Sequence, residues 1–186
     1  MSTGTLLAII IPAVVVIALI AVATIVAMRR RGRLRERFGP EYERTVEDAG
    51  SRRAAEQDLT ERERRHDSLD LQPLTSSERD RYAHEWTGVQ EEFVDHPAEA
   101  VHDADRLVTS LMRARGYPTE DFDQQVRDLS VEHGRTLEHY RAAHEVNSLS
   151  TRRQATTEQL RGAMVHYRAL FDELLADGHQ SGPART

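Results

Sequence analysis

Nine histidines are the residues of this 186-residue chain best able to do chemistry: His66, His84, His96, His102, His133, His139, His144, His166 and His179. Two follow a glutamate at the spacing Glu-x-x-His, Glu63 with His66 and Glu99 with His102. On a helix this spacing puts a carboxylate and an imidazole on one face, as in di-iron helical bundles. Such a centre also needs a carboxylate from each of two further helices, all facing an apolar interior. Glu63-Arg64-Arg65-His66 is set among charges, which is wrong for that interior, so Glu99 and His102 are left as the metal candidates. Asp80 with His84 and Glu92 with His96 stand four apart, a spacing for surface carboxylate–imidazole pairs that respond to pH. Solvated histidines on helix faces are the favoured reading of both pairs.

Other chemistries are narrowed by what the chain lacks. It has no Cys, which removes disulfides, thiolate nucleophiles and Cys-bound metals. All 25 basic residues are Arg, so there is no Schiff-base lysine and no phosphate-loop lysine. There is no Gly-rich phosphate loop, no Gly-x-Ser-x-Gly elbow and no His-Glu-x-x-His. Asp103 with Asp105 and Asp121 with Asp123 are two apart, so on a helix they do not share a face. No catalytic residue and no cofactor is expected, and an enzyme is the less favoured class.

The elements that must carry these residues are helices. From Leu6 to Met28 the chain holds no charge and is almost all Leu, Ile, Val and Ala, with Pro12 and Thr24 as exceptions. This run would make about 34 Å of helix at 1.5 Å per residue, and a bilayer core of about 30 Å needs roughly 20 residues. A cleaved signal peptide would carry its positive charge before the run, whereas here it follows. The collar Arg29, Arg30, Arg31, Arg33, Arg35 and Arg37, set against Glu36, carries a net charge of +5. The positive-inside rule then puts the N-terminus outside and the larger C-terminal part in the cytoplasm. The same six arginines are expected against anionic lipid. Beyond the collar 19 Arg face 30 Asp and Glu, a net of −11, which argues against nucleic acid as a partner.

Phe38-Gly39-Pro40 breaks the first helix. Residues 41–67 are dense in Arg and Glu with few apolar positions and read as one exposed stalk helix rich in i,i+4 pairs. Leu69-Asp70-Leu71-Gln72-Pro73-Leu74 is an apolar connector. Thr75 with Glu78 forms a capping box, and Tyr82, Trp86, Val89 and Phe93 make the apolar face of the helix it opens. Pro97 starts a second helix that runs to Arg115 and closes at Gly116. Thr119 is the expected N-cap of a third helix, carrying Phe122, Val126 and Leu129. A fourth carries Leu137, Tyr140 and His144, followed by a polar loop over 147–153. Thr156 with Gln159 caps the last helix, which carries Leu160 to Leu175 and stops at Gly178.

The expected fold is all-α. It divides into an outer N-terminus and transmembrane helix (1–28), a collar, stalk and connector (29–74), a bundle of four to five short helices (75–176) and a disordered tail (177–186). The bundle core is assigned to Tyr82, Trp86, Phe93, Leu111, Phe122, Tyr140, Tyr167 and Phe171. His139-Tyr140-Arg141-Ala142 and His166-Tyr167-Arg168-Ala169 echo one another 27 residues apart, through duplication or through similar packing.

The run Arg33-Leu34-Arg35-Glu36-Arg37-Phe38-Gly39-Pro40-Glu41-Tyr42 resembles an uncharacterised family of small single-pass membrane proteins from actinobacteria. Arg65-His66, Leu69-Asp70-Leu71, Trp86 with Phe93, Arg115-Gly116-Tyr117-Pro118 and Tyr140-Arg141-Ala142-Ala143-His144 carry the same likeness. The resemblance implies topology and length and assigns no functional residue. The function expected from these features is a membrane-anchored cytoplasmic helical module that binds another protein or itself. A His/Glu metal-binding bundle and an anionic-lipid-binding module are the alternatives.

Overall fold

A computed structural model describes the backbone of residues 3–176 and the side chains of residues 14–176. The described residues are all-helical: α1 (Thr3–Phe38), α2 (Pro40–Asp48), α3 (Arg52–His66), α4 (Ser76–Glu92), α5 (Pro97–Ala114), α6 (Phe122–Leu129), α7 (Leu137–Thr151) and α8 (Thr157–Ala176). The expectation of a disordered tail falls on residues outside this description.

The first helix runs unbroken through the collar and ends at Phe38. Gly39 takes φ of 54°, and Pro40 opens α2 at a position where its missing N–H costs nothing. The apolar side chains from Val14 to Met28 stand exposed on α1. Among the described residues no helix is long and apolar enough to cross a membrane. The described apolar stretch, residues 14–28, makes about 22 Å of helix, short of the roughly 30 Å of a bilayer core. The part of the expected span from Leu6 to Ala13 has no described side chains.

The single exposed stalk helix is corrected. Residues 40–66 form two helices joined by a turn at Gly50, whose φ is 63°, and Ser51 caps α3 by accepting from the Ala54 N–H. Together with the end of α1 they enclose a second, small core of Leu34, Phe38, Tyr42 and Leu59. Val131, from the segment after α6, completes it and ties this unit to the bundle.

The main core lies among α4 to α8, with α5 packed on α4, α7 and α8, and α7 on α8. Tyr82, Trp86, Leu111, Tyr140, Tyr167 and Phe171 are buried there, with Phe93 and Phe122 half-buried at its edge. Leu74 of the connector is buried, and Leu69 and Leu71 pack on the same core. The capping boxes of Thr75 with Glu78 and of Thr156 with Gln159 are both formed. The cap of α6 is Asp121, which accepts from the Gln124 N–H, not Thr119. The Thr119 hydroxyl instead takes the Arg113 guanidinium, and its carbonyl takes the Gln125 amide. Residues 147–151 belong to α7 rather than to a loop, because Asn147 is buried on its inner face.

Candidate functional site

The collar is built into the fold. The Arg31 guanidinium meets Glu56 at 3.0 Å, Arg33 meets Glu63 at 2.7 Å, and Arg37 bridges Glu63 and Asp67, the latter at 2.9 Å. Arg35 pairs with Glu43, and its guanidinium lies over the Tyr42 ring. Glu63 is buried. Burial alone would raise its pKa, but hydrogen bonds from Arg33 and Arg37 outweigh it and hold the carboxyl below its ordinary value. Its commitment to two guanidiniums leaves it unsuited to a metal pair with His66.

The two remaining collar residues face a groove between α1 and α3. Arg30 donates to the Thr60 hydroxyl at 2.6 Å. Arg29 has no hydrogen bond or ion pair among the described residues, and neither has Arg64 across the groove. The groove holds about 430 Å³ and is walled by Val26, Arg29, Arg30, Arg33, Leu34, Thr60, Glu63 and Arg64. A smaller recess of about 250 Å³ adjoins it at Gln57 and Glu61. Thus the expected membrane-surface set divides: Arg31, Arg33, Arg35 and Arg37 are ion-paired within the fold, and Arg29 and Arg30 line the groove without a carboxylate partner, beside the paired Arg33.

A second cluster joins α3 to the bundle. His66 and His133 are both buried, on either side of Tyr117, with ring centroids 6.2 Å from it in each case. The Tyr117 hydroxyl lies 3.3 Å from His133 Nε2, and His133 Nδ1 lies 3.2 Å from Glu173. His66 lies 3.7 Å from Glu132 and 3.8 Å from Asp67. Burial pushes the His66 imidazole below its ordinary pKa, against the pull of Glu132 and Asp67. Sequence reading placed His66 on an exposed stalk and assigned neither Tyr117 nor His133 to a core or a site. Val131, two residues before His133 and itself buried, was the available signal that this segment is covered.

Within the bundle Asp105 of α5 accepts from the Tyr167 hydroxyl at 2.6 Å and lies 3.3 Å from His144 Nδ1. Burial would raise this carboxyl, but the bonds from His144 and Tyr167 hold it below its ordinary value. The Phe122 ring stacks on His144 at 3.8 Å. These groups satisfy one another at the edge of the core. The two echoed segments face each other across α7 and α8, with His139 Nδ1 2.9 Å from His166 Nδ1 and the Tyr140 and Tyr167 rings in edge contact.

The metal candidates Glu99 and His102 are exposed on α5, beside a recess of about 310 Å³ that Asn147 also lines. Glu99 converges instead with Glu92 and His96, each able to offer one ligand atom within 4.8 Å of the others. All three are exposed, and no apolar wall orients them. Neither Asp80 with His84 nor Glu92 with His96 forms an ion pair among the described residues.

Comparison with known proteins adds no relative: no family model, no curated protein and no solved structure matches this chain.

Proposed function

We propose that this protein is a membrane-tethered helical module that works by binding another protein or a second copy of itself. The observation that carries this reading is the first helix. Its exposed apolar side chains from Val14 to Met28 lead without a break into arginines that are locked to α3 by ion pairs. An exposed apolar surface of that extent on a folded chain calls for a non-aqueous partner. In this reading Leu6–Met28 is the tether, the N-terminus lies outside and the bundle lies on the cytoplasmic side, in accord with the positive charge that follows the apolar run. The likeness to small single-pass actinobacterial proteins agrees with it.

The test is fractionation of native membranes with the full chain carrying a reporter at Thr186, followed by identification of crosslinked neighbours. Retention through alkaline extraction, a cytoplasmic reporter signal and one recurring crosslinked neighbour or a self-crosslink support the module. Release into the soluble fraction rejects the tether. A second reading, a cation centre, draws only on Glu92, His96 and Glu99. Metal content of protein purified without chelator decides it: near-stoichiometric Fe, Mn or Zn that is lost in H96A would favour that reading.

A further inference from the structure

We propose that the groove between α1 and α3 holds the phosphate of an anionic phospholipid headgroup, through Arg29, Arg30 and Arg64. This rests on the reading of α1 as the membrane tether.

Arg29, Arg30 and Arg64 gather in this groove without a carboxylate partner among the described residues, and Arg52 and Arg53, exposed at the start of α3, lie outside it. Arg31, Arg33, Arg35 and Arg37 each meet a carboxylate, whereas Arg29 and Arg64 meet none among the described residues and Arg30 meets only a hydroxyl. The one buried acid in the groove, Glu63, is already shared by Arg33 and Arg37. The exposed Glu61 lies in the outer recess. Guanidinium forks match phosphate oxygens in geometry as well as charge. The Thr60 hydroxyl holds the Arg30 fork at the groove wall and receives no other side chain. The groove volume of about 430 Å³ leaves room for a headgroup between the two helices.

The apolar end identifies the source of the phosphate. Val26 forms that end of the groove, and the exposed Val22 and Leu19, one and two turns before it on the same helix face, continue it. A free phosphate would use the cations and leave this apolar end without a purpose. A phospholipid uses both, its phosphate among the arginines and its acyl chains along α1.

The experiment uses the full chain in neutral detergent, titrated with short-chain phosphatidylglycerol, short-chain phosphatidylcholine and inorganic phosphate, with bound species counted by native mass spectrometry. The expected result is saturable retention of one phosphatidylglycerol, at least about tenfold tighter than phosphatidylcholine, weakened about tenfold in R29Q/R64Q and unchanged in the charge-matched R106Q/R161Q. T60V, which frees the Arg30 fork without touching the helical core, should also weaken it. Equal retention of the two lipids, or equal loss in both double variants, overturns the proposal. Displacement by inorganic phosphate at the lipid's own concentration assigns the groove to free phosphate and overturns the lipid. Selective lipid retention by a chain that fractionates as soluble would instead fail the tether and leave the groove standing.

Discussion

Arg141 of α7 clasps Glu41 of α2 with both prongs of its guanidinium, at 2.7 and 2.9 Å, although the two residues are 100 apart in sequence. Arg62 of α3 adds a third bond to the same carboxylate at 3.3 Å, and Glu41 is 3% exposed. One carboxylate therefore ties the hairpin of α2 and α3 to the bundle. E41Q leaves two guanidiniums side by side and should destabilise the chain by about 3 kcal/mol. The apolar pair E41L/R141M should recover most of that loss. Thermal unfolding followed by circular dichroism checks both. An unchanged midpoint in E41Q would show that the clasp does not hold the hairpin.

Gly134 couples the same two parts through backbone. A Cβ there would overlap the Phe38 carbonyl, which terminates α1. G134A should push the end of α1 off the bundle, at a cost of about 1–3 kcal/mol for overpacking. The amide hydrogens of α2 and α3 should then exchange faster, while those of α8 keep their protection. Uniform acceleration across all helices would mean that hairpin and bundle unfold together.

Trp86 is the only Trp and stacks on Phe171 with ring centroids 4.8 Å apart, at the contact of α4 with α8. W86A should cost about 3–5 kcal/mol. W86F should cost less, since the buried indole N–H has no hydrogen-bond partner to lose. The native emission should lie well to the blue of solvated Trp, and its red shift should track the bundle's unfolding.

His66 should make stability depend on pH. Its folded pKa is depressed, chiefly by burial, with Glu132 and Asp67 opposing and Arg37 and His133 adding to the depression. The neutral imidazole is thus the form that the fold favours. Its contribution is complete above the unfolded value of about 6.5 and falls away as pH drops below it. The unfolding midpoint should therefore be flat above neutrality and decline below about pH 6.5, with a smaller decline in H66L. An equal decline in H66L would move the effect to another titrating group.

The bundle was more legible than the part that precedes it. Helices α4, α5 and α8 carry their own punctuation in Thr75, Pro97 and Thr156, and apolar stripes wide enough to set a phase. The hairpin hides because its helices are joined by ion pairs. Arg31, Arg33 and Arg37 find acids 25 to 30 residues away, on another helix. A run of alternating Arg and Glu reads along the chain as i,i+4 pairs and carries no mark of which helix a charge will meet. Asp48-Ala49-Gly50-Ser51 was the overlooked turn. His66 and His133 were hidden for a related reason, since their cover comes from packing the hairpin on the bundle. The Arg29–Arg64 groove was half visible: the collar stood out, but Arg64 had no sequence reason to stand opposite it.

The ion pairs between α1 and α3 all join residues 25 to 30 apart with the numbers rising together, so the two helices run parallel. The chain leaves along α1, comes back along α2, and starts α3 with Arg52 level with about residues 22 to 27 of α1. Mechanically this makes a braced mast in place of a single pole. Because α1 has no joint between its apolar stretch and its collar, and α3 is strapped alongside it, the bundle cannot swivel about Met28. Any tilt of the apolar stretch turns the hairpin and the bundle through the same angle.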